Sequence, residues 1–424
     1  MTRETSTRTS RPAVPPAVKG LSLVSLLNDF ASEMVYPLLP TFVTRTLGGG
    51  PLVLGLIDGA SELTSSALKW ISGRLSDRPG WQRPLILSGY ATAVLVRPLI
   101  AGANAAWQVV GLRVIDRIGK GIRTPPRDAL IATVTPPQLR GRAFGFHRGA
   151  DHFGAVLGSL VAWWLLREGA DVRSVIGWSV VPGVLAFVVL SVVLRGGVGS
   201  RESGARNWKT VDGSRASRLD SDAPAANSSD SPLPTLDSFW PPILALTALT
   251  FFRLPETLLI LRLHDRGVST VAVPLIWAGL HVVRSASSYP GGRLADREGA
   301  RRIVAAGGLL FASVVFALGM PVGPVAATGL FLLLGVVAGL TESGERSLVA
   351  RLAPVRTGER FGLYHGLTGL AALPAGLLFG ALYQSASGPA ALWASAGGMV
   401  FAVIAWVSVS PRGDRRAPER ETRQ

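Results

Sequence analysis

Two carboxylates four residues apart, Asp29 and Glu33, sit inside an otherwise apolar stretch of this chain. Their spacing places both on one face of a helix. Similar intrusions recur in later apolar stretches: Arg113, Asp116 and Arg117; Asp151 and His152; Arg253 and Glu256; His281 and Arg284; Glu342 and Glu345. Ionisable groups at membrane depth are costly and are functional by default. A carboxylate in a partly dry cavity holds its proton more tightly through desolvation and less tightly beside an arginine. Opening such a cavity to one side changes both effects, so the group loads and releases a proton in step with the motion, which is the chemistry of proton coupling. The alternative for Asp29 and Glu33 is a static ion pair with Arg113 or Arg117. Asp116 reads as structural, paired along its own helix with Arg113 or Lys120. Of the five histidines, His281 falls at mid-depth and is the candidate; His147 and His365 read as interfacial, and His264 lies near the outer side.

The elements that must position these groups are helices in a bilayer. The 424 residues are 48% hydrophobic and 17% charged, with a mean hydropathy of +0.36; soluble domains carry roughly 25% charged residues. Apolar segments of about 20 residues, the length a spanning helix needs, fall at 20–44, 52–72, 84–103, 105–126, 142–166, 174–194, 239–261, 270–290, 302–321, 324–349, 360–384 and 388–410. The 49 glycines and 29 prolines suit a polytopic bundle, where small residues let helices approach and neighbours repair broken backbone bonds. The aromatics are dispersed and read mainly as interface anchors.

The formal charge of +16 does not indicate nucleic acid, because its location follows the membrane. With the N-terminus cytoplasmic, the outer loops hold only Arg45, Arg167, Arg173, Arg262 and Arg266 of the 43 Lys and Arg. That bias places both termini in the cytoplasm. Residues 1–19 are a polar, basic tail with no apolar core, unlike a signal peptide. The absence of cysteine excludes disulfides and thiolate metal sites, and the scattered histidines form no metal constellation. Gly119-Lys120-Gly121 lacks the glycine spacing and the Ser/Thr of a phosphate loop, so the expectation is no cofactor, no ATPase and no enzyme.

The chain is written twice. GRLSDRPG at 73–80 returns as GRLADREG at 292–299, half a chain later. Arg127-Asp128-Ala129-Leu130 aligns with Arg346-Ser347-Leu348-Val349 at the same offset, and Phe144-Gly145 with Phe361-Gly362 at nearly the same one. Glu33 and Glu256 occupy similar places in the two repeats. Between the halves, 195–238 is rich in Ser, Asp, Gly and Arg and reads as a disordered cytoplasmic linker; 411–424 reads as a basic tail. The expected organisation is therefore an all-α integral membrane protein with two pseudo-symmetric six-helix bundles, 20–194 and 239–410. Duplicated bundles are how secondary transporters are built.

The loop motif, the six-plus-six pattern and the long middle loop together resemble the major facilitator superfamily. The second copy of the motif fits the family pattern in full, with Gly292, Asp296, Arg297, Gly299, Arg301 and Arg302. The first has Gly73, Asp77, Arg78, Gly80 and Arg83, with Trp81 and Gln82 where basic residues are usual. Three further runs, NDFASEMVYPLLP, DRIGKGIRTPPRDALIA and RGRAFGFHRGADHFGAVLGS, resemble a poorly characterised prokaryotic subgroup with a DRxGKGxRTxPRDAxIA signature. The resemblance implies that helices 1, 4, 7 and 10 line a central cavity. It also implies a cytoplasmic latch in which Asp77 meets the start of helix 11 near Arg360, with Arg127 in the same network; headgroup anchoring is the alternative for these charges. In helix 5, Gly154 and Gly158 match part of the family's antiporter motif, but Ala150, Ala155 and Ser159 depart from it, and a plain close-packing role fits equally.

The function expected is a proton-coupled transporter of a small solute, working by alternating access in the cell membrane of a prokaryote, as a monomer with protons and the lipid bilayer as partners. Efflux by antiport comes first. Uptake by symport of a sugar, metabolite or siderophore-like solute is the alternative, and a non-transporting sensor or scaffold is the rival from another class. The candidate coupling and substrate residues are Asp29, Glu33, Arg113, Asp151, Glu256 and His281.

Overall fold

The computed structural model describes residues 14–76, 78–136, 139–195, 236–352 and 357–410, all helix, turn or loop with no strand among them. The helices are α1 (Pro16–Val35), α2 (Pro51–Ser76), α3 (Gln82–Ala101), α4 (Ala106–Val134), α5 (Arg140–Arg167), α6 (Val172–Trp178), α7 (Val180–Arg195), α8 (Leu236–Phe251), α9 (Glu256–Asp265), α10 (Ala272–Glu298), α11 (Ala300–Gly319), α12 (Pro324–Leu352), α13 (Thr357–Ser385) and α14 (Gly388–Val409). Each expected apolar segment is helical. Residues 196–235 of the expected linker 195–238, residues 1–13 of the expected tail 1–19 and the tail 411–424 lie outside the described residues; the helices run further than expected, α1 beginning at Pro16 inside the tail and α8 at Leu236 inside the linker.

Seven segments are long and apolar enough to cross a membrane by length and composition: α3, α6–α7, α8–α9, α11, the first part of α12, α13 and α14. The helices that miss that threshold, α1, α2, α4, α5 and α10, carry many of the intruding charges, while Arg97, Arg253 and Glu256 lie in segments that meet it. The outer surface is apolar, with Leu95, Trp107, Val325, Phe401 and Ile404 among its most exposed side chains. A hydrocarbon solvent accounts for such a surface.

The two halves repeat one packing scheme. In the first, α4 packs on α2 and α3, and α1 on α5 and α7; in the second, α12 packs on α10 and α11, and α8 on α13 and α14. The halves meet along two helix pairs, α2 with α13 and α5 with α10. The α2–α13 seam is backbone on backbone: a Cβ on Gly55 would lie 2.0 Å from the Gly376 carbonyl oxygen.

Three expected continuous helices are interrupted where proline falls. After Val35 the chain passes through short 3-10, α and π turns to Thr46, with Pro37 and Pro40 in the run. The segment expected at 239–261 breaks between Phe251 and Glu256, with extended backbone at Pro255. The segment expected at 174–194 changes helix at Ser179, shortly before Pro182. Proline removes a backbone donor and clashes with the preceding turn. The first two breaks fall in equivalent helices of the two repeats, beside Glu33 and Glu256.

The ends of the bundle differ. We call the side bearing residues 14 and 410 the terminal face and the other the distal face. Towards the distal face one apolar core joins both halves, from Val35, Phe42, Leu54 and Ile57 to Leu258, Trp277, Phe331 and Phe379. At the terminal end, a separate core around Leu21, Tyr90 and Ile131 belongs to the first half alone. The chain is thus closed on the distal side.

Candidate functional site

The site lies at mid-depth where the two proline breaks and α10 meet. Trp277, His281 and Arg284 follow one another along a single face of α10, at helical spacing. The Trp277 indole donates to Glu33 Oε2 at 2.7 Å. His281 Nε2 stands 3.7 Å from the same oxygen, too far for a hydrogen bond and close enough for an ion pair when the ring is protonated. Arg284 pairs with Glu256 at 3.1 Å. One face of α10 therefore holds two carboxylates in equivalent places of the repeat, one from each half.

An aromatic relay continues from this stripe into the first half. The Trp277 ring is 5.3 Å from His281 and 5.2 Å from Tyr36, and the Arg113 guanidinium lies 5.5 Å from the Tyr36 ring. Tyr36 donates to Asp58 at 3.1 Å. At the two ends of this relay stand buried polar atoms without a hydrogen-bond partner: Nε and Nη2 of Arg113, and both ring nitrogens of His281. Such groups cost free energy unless something pairs with them. Burial of Trp277 at this interface also departs from the reading of the aromatics as headgroup anchors.

Arg113 does not pair with Asp29 or Glu33. Its guanidinium goes to Asp116 at 3.3 Å, and Asp116 also accepts from Arg97 at 3.0 Å, all three side chains being almost wholly buried. Arg97 reaches on to the Asn28 carbonyl at 2.8 Å, while Asp29 accepts from Asn28 at 3.0 Å. The tie between α1 and the charged core of its half thus runs through Arg97, which stands outside the candidate set. Arg117 makes no ion pair with a described residue, Asp116 being taken by Arg97 and Arg113.

Most of the signature run packs helices. A Cβ on Gly119 would lie 2.7 Å from the Gly89 carbonyl, and one on Gly121 2.7 Å from the Leu68 Cβ. Ser72 donates to Gly121 O at 2.8 Å and Arg123 to Gly89 O at 3.0 Å. Arg127 is held by Asp128 at 2.9 Å and donates to Ser25 at 3.1 Å. Of the expected latch, Asp77 lies outside the described residues, as do the side chains of Asp296 and Arg360. Gly73 stands in α2, Gly292 and Arg297 in α10, and Arg78 in the turn after α2; Gly80 and Gly299 adopt φ of 82° and 88°. That left-handed backbone is what the motif's final glycine supplies.

In α5, Asp151 lies 3.8 Å from His147, whose Nδ1 is 3.3 Å from the Ser22 hydroxyl. Gly154 and Gly158 seat α5 against α1: an added Cβ would come 2.2 Å from the Leu26 and the Phe30 carbonyl oxygens respectively. Gly158→Val is expected to force these helices apart and lower the thermal midpoint in detergent, read by loss of the monodisperse peak after heating. In the second half Glu345 joins Arg253 at 3.4 Å and Tyr364 at 2.9 Å; the side chain of Glu342 lies outside the described residues.

The charge rule that singled out Glu33 applies equally to Asp58 and Glu62, inside the segment 52–72, and to Arg97. None of them is in the candidate set. Thr257 carries no signal of this kind, because what matters is the free N–H left by the break at Pro255.

Two helical halves with one packing scheme around a charged centre define the fold of a membrane transporter. The chain belongs to the Major Facilitator Superfamily, which matches residues 21–283 and 245–424, a family of transporters and not of enzymes. It is 28% identical over 375 residues to an uncharacterized MFS-type transporter of Methanocaldococcus jannaschii, covering 86% of this chain and 87% of the relative. It is 33% identical over 156 residues to the multidrug resistance protein MdtH of Cronobacter sakazakii, covering 37% of each. The fold superposes on a POT family transporter crystallised with a thioalcohol-conjugated peptide, with a TM-score of 0.73 at 12% identity over 92% of this chain and 95% of that one.

Proposed function

We propose that this protein exports a small solute across the cytoplasmic membrane of a prokaryote in exchange for protons, as a monomer whose halves rock about the central site. The observation that carries this reading is the contact of Glu33, from the first half, with Trp277 and His281 of the second. Rocking the halves must break and remake it once per cycle, so the carboxylate meets water in one state and a histidine in the other. Such a group takes up a proton in one state and gives it up in the other. Glu256, held by Arg284, and Asp151, beside His147, are the neighbouring carboxylates into which a proton could pass. The unpartnered Arg113 nitrogens and the aromatic faces of Tyr36 and Trp277 suit the solute: a few polar anchors beside aromatic surface. The partial likeness to a multidrug resistance protein supports export over uptake.

The test uses everted vesicles, energised to acidify their interior and followed with a pH-sensitive dye. Cationic drugs, sugars, amino acids and organic acids are added in turn. Proton release on adding one class, absent in vesicles lacking the protein, is the expected result and identifies the solute. Solute accumulation by whole cells, with no release in vesicles, would replace antiport by symport. Trp277→Phe keeps the ring and removes the donor to Glu33; the expected outcome is about a tenfold loss of coupled transport, as for one hydrogen bond to a charge, with little change in yield.

A further inference from the structure

The break at Pro255 leaves a helix that cannot cap itself. Leu258 and Leu259 N–H both reach the Pro255 carbonyl, but Thr257 N–H precedes the first turn and has no partner within α9, and Pro255 offers no side-chain cap. In a membrane interior an unmet N–H is costly. The partner comes from the other half of the protein. Asp58, on α2, accepts through Oδ2 from Thr257 N at 3.0 Å and from the Thr257 hydroxyl at 2.8 Å, while its Oδ1 accepts from Tyr36 at 3.1 Å. Glu256, next in sequence to Thr257, is turned away to Arg284.

We propose that Asp58 is the gating residue of the distal face: a carboxylate of one half that caps a helix of the other, and so holds the distal side shut until the halves part. The placement supports this. Asp58 sits one turn from Gly55, where α2 and α13 touch backbone to backbone. Beyond it towards the distal face, Thr41 meets His264 at 2.7 Å and Leu52 N–H donates to Gln384 at 3.3 Å. Further out the Arg45 guanidinium donates to the Thr270 hydroxyl at 3.4 Å; each of these outer contacts is a single bond and none uses a carboxylate. The Asp58 contact is double and charge-assisted, roughly twice as strong per bond, and a negative charge at a helix N-terminus gains further from the dipole. Both bonds to Thr257 must go when the distal side opens, whereas the bond from Tyr36 joins elements of one half and survives.

The inference rests on the transport reading for the alternation itself, but its test does not require transport. The chain has no cysteine, so a single Leu39→Cys places the only thiol in a position wholly buried beside α9. A membrane-impermeant maleimide applied to intact cells reports opening of the distal side. In that background, Asp58→Asn is expected to raise the labelling rate about tenfold and Thr257→Ala by a smaller factor, as bonds to a charged acceptor are lost. Tyr36→Phe is expected to leave the rate unchanged. An Asp58→Asn rate equal to that of the parent overturns the proposal, and so does an equal rise in all three variants, which would mean general loosening. Should Asp58→Asn fail to reach the membrane, the pair Thr257→Ala and Tyr36→Phe decides it: a faster rate in the first alone supports the gate, and equal rates refute it. Loss of gating with proton exchange intact, or the reverse, separates this proposal from the export reading.

Discussion

Glu33→Gln is expected to abolish proton-driven movement of solute while leaving the fold and the distal closure in place. Glutamine keeps an acceptor for the Trp277 indole, which now stands 2.7 Å from the carboxylate, so the shape of the contact survives. What disappears is the charge that faces His281 at 3.7 Å and the ability to take up and release a proton. The drop in proton-driven transport should be at least about a hundredfold, some 2.7 kcal/mol by the usual conversion, because no other described carboxylate bridges the two halves next to a histidine. Downhill exchange of solute against solute should persist in the variant, since that needs the cavity but no titration. Glu33→Asp should recover part of the coupled rate, limited by its shorter reach to Trp277. Equal coupled rates in Glu33→Gln and the parent would exclude Glu33 from coupling and shift attention to Asp151 and Glu256.

Legibility in the sequence followed the range over which each interaction acts. Apolar segments and the motif repeat are local patterns, and they located the helices and the duplication. Charges inside apolar segments are conspicuous one at a time, which is why Glu33, Glu256, Arg113, Asp151 and His281 could be picked out. Their partners could not, because a contact such as Glu33 with Trp277 depends on how two halves register in space. Static pairing of Asp29 or Glu33 with Arg113 or Arg117 is the alternative that neighbouring helices of one half allow, and for Glu33 with Arg113 the structure decides it. That pairing fails because Glu33 is turned to Trp277 and His281 of the other half, while Arg113 meets Asp116 through one nitrogen. Asp58 illustrates both limits: its charge was visible, but its purpose follows from the break at Pro255, and only the fold brings that break to α2. Proline alone does not mark the breaks, since Pro98, Pro125, Pro126, Pro290 and Pro374 lie inside unbroken helices, and whether a break is repaired by its own side chains or by the opposite half is a tertiary fact.

The charged core of the first half yields the largest expected effect on stability. Asp116 is buried between Arg97 and Arg113, at 3.0 and 3.3 Å, with side chains at most 4% exposed. Asp116→Ala leaves two guanidinium groups facing each other with no counter-charge. Arg97 keeps its bond to the Asn28 carbonyl, and Arg113 keeps only the face of Tyr36. Breaking a buried pair from one side costs about 3–5 kcal/mol, against roughly 1 kcal/mol for an average substitution. The expected result is a sharp fall in the amount of folded protein and a thermal midpoint lower by about 5–10 °C in detergent. The penalty arises from the stranded cations more than from the lost bonds, and this has a consequence. Removing all three charges together, with Arg97→Met, Arg113→Met and Asp116→Leu, should recover most of the lost stability, because matched apolar groups replace a buried charge cluster at little net cost. Transport should not return in that triple variant, because Arg113, with two unpartnered nitrogens and its guanidinium beside the Tyr36 ring, is a proposed anchor for the solute. A triple variant as unstable as Asp116→Ala would mean that the ion triad contributes specific structure beyond charge balance. One that transports normally would remove Arg113 from the solute site.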